Sequence, residues 1–176
     1  MRNVRKIVAT ATATVTATVL AGVMGGGVAQ ASSPSTVGAS GATAPSACRP
    51  ANHIAKISAA PASAGHRHYR VTLTAPRGYE PCELAGSPTD VRFYHHGSAD
   101  KVRAGRYGTQ NKRVTFGPGH PVHFDIQVPN STRGTRADEA AFALRAPGGV
   151  IPGESSAHGP LTVSPGTAIG PIQAGA

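Results

Sequence analysis

The chain contains no tryptophan, and only four phenylalanines and four tyrosines in 176 residues. Stacking platforms of aromatics interleaved with basic residues are therefore missing, and no recognised nucleic-acid module is present. Sequence-specific nucleic-acid binding is not expected. There is no G-x-S-x-G nucleophile elbow, no H-E-x-x-H, no Cys/His zinc spacing and no Met-rich copper pattern. The eight acidic residues form no acid/base pair suited to glycoside cleavage. Glu80 and Glu83, the nearest pair, flank Cys82 in a turn. The Gly25-Gly26-Gly27 run lies in the leader described next, and no other glycine-rich loop follows a strand to cradle phosphate. Neither catalysis nor a cofactor is expected.

Long apolar runs are also scarce: there is one, at the start. Arg2, Arg5 and Lys6 form a positive region, Ile7 to Val28 is uncharged and rich in Ala, Val, Thr and Gly, and Ala29-Gln30-Ala31 is a small-x-small cleavage site. That order predicts a secretory signal peptide over residues 1–31, cleaved after Ala31. A membrane-spanning reading of the same stretch is the alternative. Leu20-Ala21-Gly22 resembles the start of a lipoprotein signal, but Val23 stands where the acylated cysteine is required. After cleavage nothing else is expected to hold the protein in a membrane, and the destination is extracellular or cell-wall associated.

Cleavage leaves 145 residues, enough for one domain with its own core. Residues 32–47 are rich in Ser, Thr, Ala, Gly and Pro and read as a flexible linker, so the domain is expected over residues 48–172. The leader takes three of the nine net positive charges with it, and the mature chain carries +6. The densest run spans Lys101, Arg103, Arg106, Lys112 and Arg113, with Tyr94 and Tyr107 as candidate exposed aromatics. It reads either as a solvated basic face or as a surface for an anionic extracellular polymer such as wall teichoic material. Cys48 and Cys82 are the only cysteines, and in an oxidising compartment they are expected to pair. A reactive thiol is the alternative, but Glu80 and Glu83 would raise rather than lower the pKa of Cys82.

The mature chain has a period of two rather than 3.6. Tyr69, Val71 and Leu73 share a face, as do Val91 and Phe93, Val114 and Phe116, then Val122, Phe124, Ile126 and Val128. Phe142 with Leu144 and Leu161 with Val163 mark further strands, and Ile54 and Ile57 a weaker opening one. The Ala-rich window Arg136 to Ala143 could be helical, but Phe142 and Leu144 favour a strand. Turn residues separate these runs, among them Gly86-Ser87-Pro88, Gly97-Ser98 and Gly117-Pro118-Gly119. About seven short strands with frequent turns predict an all-β fold, an immunoglobulin-like antiparallel β-sandwich.

Cys82-Glu83-Leu84-Ala85-Gly86-Ser87-Pro88 reads as C-x-L-x-G-x-P. Val114-Thr115-Phe116-Gly117-Pro118-Gly119 runs a strand into a Pro-Gly turn, and Leu161-Thr162-Val163-Ser164-Pro165 closes the domain. With Cys48 at the start, this resembles the secreted actinobacterial domain of unknown function 4232 over nearly the whole mature chain. The resemblance implies an extracytoplasmic immunoglobulin-like sandwich, often lipid-anchored or fused to other modules, and no known activity. Members commonly carry a second cysteine pair in the last third. Here Asp138-Glu139-Ala140 and Ser155 to His158 stand instead, so the C-terminal strands must be held without a staple.

Eight histidines raise the question of metal. His66, His68 and His123 fall on the outward phase of their strands and could ligate Zn²⁺ or Cu²⁺ if those strands are neighbours, with His95 as a further candidate. His95 and His96 are adjacent, so a continuing strand would point them to opposite faces. The leading expectation is a secreted, non-enzymatic binding or interaction module whose partner is an anionic wall polymer or a surface protein. The alternative is an extracellular metal-binding protein.

Overall fold

The computed structural model describes residues 44–63, 65–130 and 133–176. The expected leader and the linker up to residue 43 lie outside them. After a 3-10 turn at Pro50–Asn52 come β1 (Ile54–Ser63), β2 (His66–Thr74), β3 (Cys82–Ala85), β4 (Thr89–His95), β5 (Ser98–Ala99), β6 (Gly105–Arg106) and β7 (Arg113–Phe116). These are followed by β8 (Val122–Pro129), β9 (Thr135–Ala143), β10 (Arg145–Ala146), β11 (Gly149–Val150), β12 (Ser155–Val163), β13 (Ala168–Ile169) and β14 (Gln173–Ala174). The all-β expectation holds. The Ala-rich window is strand β9, with Ala137, Ala140 and Phe142 buried.

The strand pairing is not that of the expected seven-stranded antiparallel sandwich. Ten strands form one mixed sheet in the order β5-β4-β9-β12-β1-β2-β8-β13-β6, with β14 also on β8. β3 pairs with β7, and β10 with β11. Within the large sheet, β12, β9, β4 and β5 form one antiparallel group and β1, β2 and β8 another. A parallel seam of two residue pairs, Ala55 with Ala157 and Lys56 with His158, joins them. The hydrophobic alternation placed Val71, Leu73, Val114, Phe116, Val122, Phe124, Ile126 and Val128 inward, and all of them are buried. It carries no information about which strands pair, so the seam could not be read from it.

The sheet curls over itself. β8 and β9 are four strand positions apart, about 19 Å in a flat sheet. Yet the Phe124 and Phe142 rings meet edge to face with centroids 5.1 Å apart. Their contact sits in a single core with Ile57, Val71, Leu73, Phe93, Leu161 and Val163. Gly159 makes the seam possible. Its φ is +152°, and a Cβ there would run into the carbonyl of Ile57. Pro160 follows it where β12 slips register against β9, and Pro61 lies in the corresponding slip of β1 against β2. Proline lacks the N–H a regular ladder needs, so both sit at bulges. The opening strand expected from Ile54 and Ile57 is β1; Ile54 points outward at 68% exposure, and Ala55 and Ile57 face the core.

The Cys48–Cys82 disulfide forms, with Cα atoms 6.0 Å apart. It ties the loop before the 3-10 turn to the start of β3. The preceding residues already belong to the fold: Ala47 is fully buried and its N–H donates to Glu80 O at 2.9 Å. The C-terminal strands lack a second disulfide and are held by ladders, β12 between β9 and β1, and β13 between β8 and β6.

Candidate functional site

β4 and β5 are joined by His96-Gly97, and both residues have positive φ, +48° and +77°. This is the two-residue hairpin turn that matches strand twist, and it forces a non-glycine residue into the left-handed region. Because the chain reverses at His96, the strand alternation that would have separated the two histidines stops at His95. Their rings lie with centroids 4.1 Å apart. The sequence reading placed them on opposite faces, although Gly97-Ser98 had already signalled the turn.

Asp138 completes the group. Tyr94 pairs with Glu139 on β9, which sets the next residue along, His95, beside Asp138. His95 Nδ1 lies 3.2 Å and His96 Nδ1 3.4 Å from Asp138 Oδ2. The His96 backbone N–H also donates to both carboxylate oxygens, at 3.3 and 3.1 Å. That backbone hydrogen bond, followed by the two neighbouring imidazoles, holds the Asp138 carboxyl below its ordinary range. Asp138 and His95 also border an open depression of about 500 Å³, along with Tyr69, Arg136, Leu161 and Thr162. The Tyr69 hydroxyl accepts the Thr162 N–H at 3.0 Å, across the bulged part of β12.

The histidines singled out from sequence are not brought together. His123 lies opposite Thr72, whereas His68 lies opposite Gln127 and His66 opposite Pro129. Four residues of strand, about 13 Å, separate the first two positions. His68 Nε2 is 2.8 Å from Ser63 Oγ. His123 is not a surface group: it is 8% exposed, and its Nδ1–H donates to Gly175 O at 3.0 Å.

The basic run is also divided. Lys101 and Arg103 line one depression of about 460 Å³ together with Arg133. Arg106, on the edge strand β6, lines a second with Pro88 to Val91. Lys112 and Arg113 line a third with His120, and Arg113 reaches Glu83 at 3.5 Å. Tyr107 is half-buried rather than displayed. Burial and the nearby Asp125 charge raise its pKa, and its N–H donates to Ile169 O at 3.1 Å.

The C-x-L-x-G-x-P element does structural work. Leu84 is fully buried, and Gly86 has φ +71° with Gln110 O 2.8 Å from where a Cβ would stand. Gln110 Oε1 accepts the Ser87 N–H at 2.8 Å and its Nε2 donates to Ser87 Oγ at 3.0 Å, while Ser87 Oγ–H donates to Ile169 O. Neither Gln110 nor Asp138 was singled out from sequence. Each is a lone polar residue whose partners are distant in the chain.

A family model described as Domain of unknown function (DUF4232) matches residues 48–173. No curated protein and no solved structure matches the chain.

Proposed function

The chain belongs to the family of the domain of unknown function DUF4232, and from that membership and the placement of its charges we propose an extracytoplasmic, non-enzymatic binding module for an anionic polymer of the cell surface. The observation that carries this reading is the depression bordered by Lys101, Arg103 and Arg133. Among the described residues, none of these three cations is within ion-pair distance of a carboxylate. The one acid at this depression, Asp100, is engaged elsewhere: its carboxylate accepts the Val102 N–H of its own loop at 2.7 Å and the hydroxyl of Thr135, at the start of β9, at 2.6 Å. It shapes the loop that carries Lys101 and Arg103. Unpaired cations fixed on one surface raise the local concentration of a polyanion and lose that effect as salt screens them. The disulfide and the leader both suit an oxidising compartment outside the membrane.

The test is retention of the protein, recovered from the medium of expressing cells, on walls bearing polyglycerol phosphate. Retention is expected to fall between low and high salt, and to be lost in the Lys101→Glu/Arg103→Glu/Arg133→Glu variant. Retention that survives charge reversal, or survives chemical removal of the polymer, would point to a surface protein and overturn the reading.

A further inference from the structure

The His95–His96–Asp138 cluster plays no part in the polymer site, and its geometry is that of a ligand set. We propose that it binds a divalent transition-metal ion of borderline softness, Zn²⁺ or Cu²⁺, through His95 Nδ1, His96 Nδ1 and one carboxylate oxygen of Asp138. One ligand atom from each of the three residues lies within 4.8 Å of those of the other two. A tetrahedral site with bonds of about 2.1 Å has donor-to-donor edges of about 3.4 Å. Two of the three edges are already of that length, 3.2 and 3.4 Å.

The chemistry of the donors agrees with the spacing. Two imidazole nitrogens and a carboxylate oxygen suit Zn²⁺ and Cu²⁺ and do not suit Ca²⁺ or Mg²⁺, which take oxygen. The only thiols in the chain are joined to each other, so no softer ligand competes for the ion. Three protein ligands leave a position for water or a further ligand, the arrangement of an open rather than a closed structural site.

The fold holds these groups in advance. His96 occupies a left-handed turn position at φ +48°, where asparagine or glycine is the favoured residue. Its backbone N–H donates to the Asp138 carboxylate, so the carboxylate is oriented by main chain before any ion arrives. At 83% side-chain exposure, His96 leaves the site open to solvent. A metal would place a single cation among the two ring nitrogens and the carboxylate oxygen that now face one another.

The experiment is calorimetric titration of Zn²⁺ alone into the chelator-treated protein, repeated on three variants. The unaltered protein is expected to bind one equivalent. His96→Asn keeps a residue suited to the turn and removes the ring. It and Asp138→Asn are each expected to weaken binding by at least about tenfold. His68→Gln, remote from the cluster, is expected to bind as the parent does. Cu²⁺ should broaden the ring NMR signals of His95 and His96 before those of the other histidines. Sub-stoichiometric binding, unaltered affinity in a correctly folded His96→Asn protein, or loss of binding in His68→Gln would each overturn the proposal.

Discussion

His53 Nε2 lies 3.0 Å from Ser155 Oγ, linking the loop after Cys48 to the first residue of β12 across 102 positions of chain. The opposite ring nitrogen, Nδ1–H, donates to Ala47 O at 3.0 Å, and the ring packs edge-on against Phe116 at 5.6 Å. With one nitrogen donating to a carbonyl and the other accepting from a hydroxyl, the neutral imidazole fits. Burial is the main influence on this ring and pulls its pKa below the ordinary 6.5.

Stability should therefore depend on pH in a defined direction. Between the folded pKa and 6.5 the unfolded chain binds more protons at this residue than the folded one, so stability rises with pH there. It is fully present above 6.5 and declines as pH falls through that window. Melting temperatures measured from pH 7.5 to pH 5 should fall for the parent. His53→Gln should be less stable at pH 7.5, by about 1–2 kcal/mol for the lost hydrogen bonds, and should show a flatter pH profile. An equally steep acid decline in the variant would dismiss His53 as the cause.

The curl of the sheet can be tested through Phe124 and Phe142. Each to alanine should cost about 3–5 kcal/mol in denaturant unfolding. Because the rings touch, the double variant should depart from additivity by about 0.5–1.5 kcal/mol. Strict additivity would mean that the two halves of the sheet do not meet at these residues.

Gly159→Ala should be among the more damaging small substitutions, costing about 2–4 kcal/mol, because it strains a left-handed residue and drives a Cβ into the Ile57 carbonyl. Gly148→Ala has open space around its Cβ and should remain within about 0.5 kcal/mol of the parent. Equal stabilities for the two variants would remove the case for a steric requirement at the seam.

The disulfide closes a loop between residues 34 apart and should contribute roughly 4 kcal/mol through the unfolded state. Urea unfolding of the Cys48→Ala/Cys82→Ala protein should report that loss, and a change below about 1 kcal/mol would contradict it. Mass spectrometry of the protein recovered from culture medium is expected to find a chain that begins at Ser32 and is two hydrogens light. A chain retaining Met1 would refute the leader.

Much of the fold was legible because burial follows a local rule. Alternate residues of a strand face opposite sides, so Tyr69–Leu73 and Val122–Val128 announced their inner faces without reference to anything distant. Ile54 and Ile57 marked the opening strand, but three positions apart they fall on opposite faces, and the alternation there was too weak to say which one faces inward. Ala55, small and unremarkable in sequence, holds the inward position. The candidate cluster was harder to read. His95 and His96 were visible as a pair, but their convergence depends on a turn at His96 and on Asp138, supplied by a strand some forty residues later.

By itself, the sequence determined an all-β chain, the residues of its core, the position of its turns and the pairing of its two cysteines. Each follows from local alternation, local backbone preference or the absence of any other thiol. Tertiary structure alone decided that the two antiparallel groups join through a parallel seam, that Phe124 meets Phe142, that the basic run divides among three depressions, and that His95, His96 and Asp138 converge. These depend on strand order and register, which are set by the packing of faces far apart in the chain. No window of residues contains both partners of such a contact.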